Sequence, residues 1–131
     1  MKIIPASVEI MTPIDGQAVL KHLEQCGRVC YKSEGKIAEG SAEKFLANIV
    51  KRGHEAVLEH YSFTVKFICD RGVSLKTEVV MTANIREWRH FLKLRTSPAA
   101  HPQIREVATP LLKELQELVP ILFDDIGGAT E

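Results

Sequence analysis

The chain is short of cysteine, has a single tryptophan and carries no net charge, and each of these shortages excludes something. Its cysteines, Cys26, Cys30 and Cys69, are odd in number and follow no zinc-binding spacing, so no metal site is expected from them. Cys26 and Cys30 are four apart and share a helix face, which suits buried free thiols. Basic and acidic residues balance at 17 each, which argues against a general nucleic-acid binder. A local cationic pocket for a phosphorylated small molecule is still compatible with that balance. No apolar run is long enough to span a membrane. Residues 1–10 are too short for a signal peptide and are interrupted by Pro5. Repeats and low-complexity tracts are absent. A reducing, cytoplasmic setting is therefore the default, and 131 residues suffice for one domain with a core.

What the chain does have is concentrated in residues 82–105. This stretch carries Arg86, Arg89, Arg95 and Arg105, His90 and His101, and the tryptophan, Trp88. Asn84 suits a helix N-cap, because its side-chain oxygen can accept from an orphan backbone N–H. Glu87 stands three residues later, where a capping box needs it. Ile85, Trp88, Phe91, Leu92 and Arg95 recur at helical spacing, predicting a buried face with a cationic rim. Arg86, Arg89 and His90 fall on other faces. They form either a solvated basic surface or, beside a helix N-terminus, an anion site.

A second dense stretch is residues 53–60, with His54, Glu55, Glu59 and His60. His54 and His60 are too far apart for a zinc motif of the His-Glu-x-x-His form. Read as a turn and a half of α-helix, the stretch puts Glu55 and Glu59 on one face with His54 beside them. These carboxylates either pair locally or serve a site.

Around these stretches the spacing predicts alternating secondary structure. Residues 2–10 read as an edge strand, since Pro5 excludes a central position. Asp15 caps a helix to about Cys26, with Val19, Leu20 and Leu23 inward and Gly27 as an interruption. Ser41 opens a second helix, with Phe45, Leu46, Ile49 and Val50 inward and Gly53 ending it in the left-handed conformation. Residues 61–69 alternate as a strand, and residues 75–81 as another, pairing as a hairpin across 70–74. Pro102 suits the first turn of a last helix whose stripe is Ile104, Val107, Ala108, Leu111, Leu115 and Leu118. Pro110 should kink or restart that helix, Pro120 limits it, and Gly127-Gly128 marks a loose tail. His101 is expected at the surface.

In order, these pieces resemble the flavin-dependent thymidylate synthases. The match is carried by Gly53-His54-Glu55-Ala56-Val57-Leu58-Glu59-His60 with the strand after it, and by residues 82–95 followed by 100–104. Arg28-Val29-Cys30-Tyr31 adds a shorter third piece. One departure stands against them. The family's signature, Arg-His-Arg followed seven residues later by Ser, is absent. Arg89-His90-Phe91 begins like it, but Phe91 does not fit and Ala99 stands where the Ser belongs. By this resemblance the chain passes at Ser74–Leu75 from the part just before the signature to a part well after it, with several tens of residues missing.

The resemblance implies an α+β fold of the thymidylate synthase-complementing type, an antiparallel β-sheet flanked by helices. It would be a single domain over 1–131, internally shortened at 74/75, and the strands flanking the junction must end close together. It implies reductive methylation of dUMP to dTMP, with methylenetetrahydrofolate as carbon donor and FAD, reduced by NADPH, as hydride source. It further implies a homotetramer with flavin sites shared between subunits. By position Arg95 resembles the arginine that meets the pyrimidine carbonyl, a catalytic and substrate-binding role. Asn84 and His90 resemble flavin-ring contacts. His54 and Glu59 resemble residues of the flavin and nucleotide pocket, and Cys30 stands where relatives have a small polar residue near the flavin. No enzyme nucleophile is implied, so no cysteine need be catalytic. The missing signature arginines and serine would bind the nucleotide phosphate, so weak or absent activity is expected. The alternatives are a non-catalytic remnant that binds flavin or assembles with a full-length relative, and a plain α+β domain with a coincidental basic helix.

Overall fold

The structure, a computed structural model, describes residues 6–70 and 76–127, with the side chains of 69, 70, 76 and 77 excepted. Pro5, the 71–74 part of the turn, the Ser74–Leu75 junction and Gly128 lie outside the described residues. Three antiparallel strands form the sheet, in the order β1 (Ser7–Ile10), β2 (Ser62–Asp70), β3 (Lys76–Asn84). β1 lies at an edge, as expected, with Ser7 opposite Ile68 and Ile10 opposite Val65. β2 and β3 pair along their whole length, from Ser62 opposite Asn84 to Asp70 opposite Lys76. The strand ends at Asp70 and Lys76 are therefore neighbours in the sheet.

Alternation along β2 decides its two faces. Phe63, Val65 and Phe67 are buried, while Thr64, Lys66 and Ile68 are only partly covered. The second face is stitched by polar pairs: Lys66 Nζ lies 3.4 Å from Glu9, and the Thr64 and Thr82 hydroxyls are 2.8 Å apart. Trp88 closes the apolar face. Its ring stacks on Phe63 at 5.2 Å, meets Phe91 edge-on at 5.6 Å, and donates its Nε1–H to the Phe63 carbonyl at 3.2 Å.

Helix α1 (Gly16–Cys30) is capped by Asp15, whose Oδ1 accepts from the Ala18 N–H at 3.2 Å. It runs four residues past the expected end, because Gly27 does not interrupt it. Gly27 is instead a contact point: a Cβ there would lie 2.7 Å from the Phe45 ring and 3.1 Å from Val57. The glycine lets α1 approach α2 (Ser41–Arg52) closely, and tertiary packing overrides its weak helix propensity. Gly53 ends α2 at φ +73°, as expected. Cys30, expected buried, is exposed, and Cys26 is partly so.

At the C-terminal end the structure refines two expectations. α4 (Pro102–Leu118) continues through Pro110 without restarting, its buried stripe of Val107, Ala108, Leu111, Leu112 and Leu115 holding it together. After it, Pro120 does not only limit a helix but begins the short α5 (Pro120–Phe123). Val119, Leu122, Phe123 and Ile126 are all buried there, so this segment is part of the core.

Candidate functional site

The site is built where α3 (Ile85–Arg95) leaves β3. Asn84 ends the strand and caps the helix in one step. Its Oδ1 accepts from the Glu87 N–H at 2.9 Å, and the Glu87 carboxylate accepts from the Asn84 N–H at 3.0 Å, the expected capping box. Asn84 Nδ2 makes no hydrogen bond among the described residues.

Facing this start is the histidine–glutamate stretch, and its geometry corrects the sequence reading. Glu55–His60 is a 3-10 helix rather than an α-helix. With about three residues per turn, positions four apart do not share a face. Glu55 and Glu59 therefore reach different arginines on α3. Glu59 accepts from Arg86 Nη1 at 2.6 Å, in a pair that is about half exposed on both sides. Glu55 accepts from Arg89 Nε at 3.0 Å.

Arg89 was expected on an open basic face, and it is buried, with 1% of its surface exposed. Its two Nη nitrogens grip Asp125 in a fork, at 2.7 Å each, and Nη1 also donates to the Leu122 carbonyl. Burial alone would lower the guanidinium's pKa. The hydrogen bonds and charges of Asp125 and Glu55 outweigh it and hold it above its ordinary value. The hydrogen bond from Arg89 in turn holds the Asp125 carboxyl below its ordinary value. Arg89 is thus a structural clamp that joins α3, the 3-10 turn and the C-terminal segment.

A cavity of about 500 Å³ opens at the first turns of α3, lined by Glu55, Arg86, Glu87, His90 and Lys93. Of the residues singled out from the sequence, Glu55, Arg86 and His90 line it, the last two exposed, and Glu59 reaches it through Arg86. Asn84 lies at its edge in the chain, one residue before the helix. His54 does not join them. It is exposed at the head of the 3-10 turn and lines a separate cavity with Arg28, Tyr31 and Arg52. Cys30 lines neither cavity. Arg95 is exposed in the last turn of α3, with its guanidinium 5.8 Å from the centre of the Phe91 ring, and lies outside the His90 cavity. His101 is exposed and caps α4, its Nδ1 accepting from the Gln103 N–H at 3.2 Å.

Sequence reasoning left Arg86 open between a solvated face and an anion site, and it missed Lys93 as a cation of the cavity and Asp125 as the anchor of Arg89. Arg86 carried a local signal, its position two residues past the N-cap. Asp125 carried none, being 36 residues from its partner.

Arg86, His90 and Lys93 line this cavity together with the carboxylates Glu55 and Glu87, which are engaged with Arg89 and with the Asn84 N–H. Such a set suits a planar ligand with an acceptor-rich edge or an anionic group. Among the described residues no cluster of three metal-ligating side chains occurs, and no helix is long and apolar enough to cross a membrane.

Residues 17–75 and 72–121 match the family described as thymidylate synthase complementing protein. Among curated relatives, the flavin-dependent thymidylate synthases of Mycobacteroides abscessus and Corynebacterium aurimucosum are each 42% identical over 55 residues, covering 42% of this chain and 22% of the relative. That of Mycobacterium tuberculosis is 40% identical over 55 residues, with the same coverage. The matched segment thus spans about a fifth of these relatives' length.

Proposed function

The chain belongs to the thymidylate synthase complementing protein family, and from that premise we propose that it binds FAD in the cavity at the start of α3. The reaction that site serves is the reductive methylation of dUMP to dTMP, with methylenetetrahydrofolate and NADPH as co-substrates. One observation carries the reading. The Arg86–Glu59 pair at 2.6 Å joins the two stretches that most resemble the flavin enzymes, which are separated by 27 positions in the chain.

The residues present fit a flavin. Its ring edge is a row of carbonyl oxygens and nitrogens, and Arg86, His90 and Asn84 Nδ2 are donors suited to that edge. Bound flavin would supply hydride to the methylene carbon on the pyrimidine. The chain's own residues bind and orient. Arg86, held by Glu59, keeps positive charge next to the ring edge, and His90 stands one turn along the helix from it. Arg95 is the candidate donor to the pyrimidine carbonyl. Its exposure outside the cavity accords with a site completed between copies, as in a homotetramer. The setting proposed is cytoplasmic.

The absent Arg-His-Arg and serine segment favours a second reading for the chain acting alone, a flavin-binding remnant with little turnover. Without bidentate anion contacts the nucleotide phosphate is poorly fixed, and positioning accounts for much of the rate. The test is twofold. The purified chain is expected to take up FAD, read by visible flavin absorbance, and to form little or no dTMP from dUMP. Turnover comparable with a full-length relative would overturn the remnant reading, and failure to bind FAD would overturn both.

A further inference from the structure

We propose that the outer edge of β3 is a self-association surface, along which a second copy of this chain adds its own β3 as an antiparallel neighbour. β3 is the last strand of the sheet, and among the described residues no strand pairs with its outer side. The inference does not rest on the flavin reading, since no residue that lines the α3 cavity lies on β3.

Hydrogen bonds already present fix which backbone groups point outward. In an antiparallel pair each residue directs its N–H and C=O to one side, and the side alternates along the strand. Thr64 directs both toward the β1 side. Its carbonyl accepts from the Met11 N–H at 2.8 Å, and its N–H donates to the Thr12 hydroxyl at 2.8 Å. Thr82, opposite Thr64, therefore turns its own N–H and C=O away from β2, and so does Val80 two residues before it. Ile85 is in the other phase, and its N–H donates inward to the Tyr61 carbonyl at 3.0 Å, as the alternation requires. Outward backbone groups of this kind are what an added strand takes up.

Sheet edges usually carry guards against such pairing: shortness, a proline, a bulge or a charge in the middle. The opposite edge, β1, is only four residues long. β3 has none of these guards. It runs for nine residues, contains no proline, and pairs with β2 without a break in register. Its charged residues, Lys76 and Glu78, stand toward one end. Its middle is apolar and open on both faces, with Val79 43% and Val80 57% exposed.

The strand's own sequence selects a second copy as the occupant. Val80 is the midpoint of Lys76–Asn84, so a two-fold axis at Val80 opposes the whole strand with itself. That register also sets outward-pointing residues against outward-pointing ones, as an antiparallel pair needs. It places Val80 against Val80 of the second copy, Val79 against Met81, and Glu78 against Thr82. Apolar and β-branched pairs of this kind stabilise neighbouring strands, and no like charges meet. An axis at Glu78 would oppose like charges and shorten the overlap. The chain carries no net charge, so two copies do not repel at a distance. The homotetramer implied by the family resemblance names no surface; this edge is a specific one, and it would join two sheets into one.

The experiment follows the mass of the full chain by sedimentation over a range of concentrations, with amide exchange read by NMR. A dimer is expected to form as concentration rises, and the Val80 and Thr82 amides should gain protection with it. Val80→Lys, at an exposed position, should weaken association by about tenfold or more, because it opposes two like charges at the axis. Val80→Glu should do the same. An equimolar mixture of the two variants should associate again, since opposite charges then face each other. A folded chain that stays monomeric at NMR concentrations would overturn the proposal. So would an assembly of any size that Val80→Lys leaves intact, or a mixture of the two variants that stays dissociated. Protection of the Val80 and Thr82 amides that does not change with concentration would also overturn it, by placing a segment of the same chain on the edge. Failure to bind FAD by a chain that dimerises in this way would overturn the flavin reading alone.

Discussion

Replacing Asp125 by alanine removes two of the charge-assisted hydrogen bonds that hold Arg89, both at 2.7 Å, and leaves the buried guanidinium with Glu55 and one carbonyl. A hydrogen bond to a charged group contributes about 1.5–3 kcal/mol net. The Asp125 side chain is 42% exposed, so solvent screening moves the fork toward the low end of that range. Glu55 remains to neutralise the charge, and the expected loss is about 2 kcal/mol. For a domain of this size that is roughly 6–12 °C in Tm. Urea unfolding followed by tryptophan fluorescence reads it directly, because Trp88 is the sole tryptophan and is fully buried against Phe63. The control is an Arg89→Met background, where no buried charge needs a partner. There Asp125→Ala should cost under about 0.5 kcal/mol. A loss below about 0.5 kcal/mol in the wild-type background, or the same loss in both, would refute the clamp.

Three further expectations concern packing, acid and the cap. Gly27→Ala should destabilise by about 1–3 kcal/mol, since the added methyl meets Phe45 at 2.7 Å; thermal unfolding that is unchanged would contradict the close approach. The Asp125 carboxyl is held below its ordinary 3.8 by Arg89. Its contribution is therefore complete above pH 3.8 and is lost as the pH falls through the lower, folded value. An acid titration of stability should thus fall more steeply in wild type than in Asp125→Ala, and parallel curves would count against the pair. Asn84→Ala should cost about 1 kcal/mol through the lost capping box, measurable by the same urea unfolding, and no change would mean that the box is idle.

What was legible in the sequence was local. The alternation of Phe63, Val65 and Phe67, the Asn84–Glu87 box and the glycine stop at 53 each depend on neighbours a few positions away, and all three are present. Gly27 was misread because its role is set by Phe45 on another helix. Arg89 was misread because an arginine on a polar-looking helix gives no sign of a carboxylate 36 residues onward. The 3-10 winding of Glu55–His60 leaves no mark in a pattern that also suits an α-helix, yet it decides that Glu55 and Glu59 serve different arginines. The segment 119–126 looked like an ending because Pro120 and the Gly127-Gly128 pair after it drew attention from four core side chains. For the site, it was the family resemblance, not residue spacing, that named Glu59, Asn84 and His90 together. It could not separate His54 and Cys30 from them, which needs the turn at the end of α1 and the path of the chain after Gly53.

The most direct measurement is FAD binding by the whole chain, followed by visible absorbance, in wild type and in Arg86→Ala and His90→Ala. Both side chains are exposed, so the fold should survive their loss. Wild type should bind FAD, and each variant should bind about tenfold more weakly or worse, one lost charge-assisted contact being worth about that much. Wild-type protein that is folded but takes up no flavin, or variants that bind it as tightly, would contradict the assignment of the α3 cavity as the flavin site.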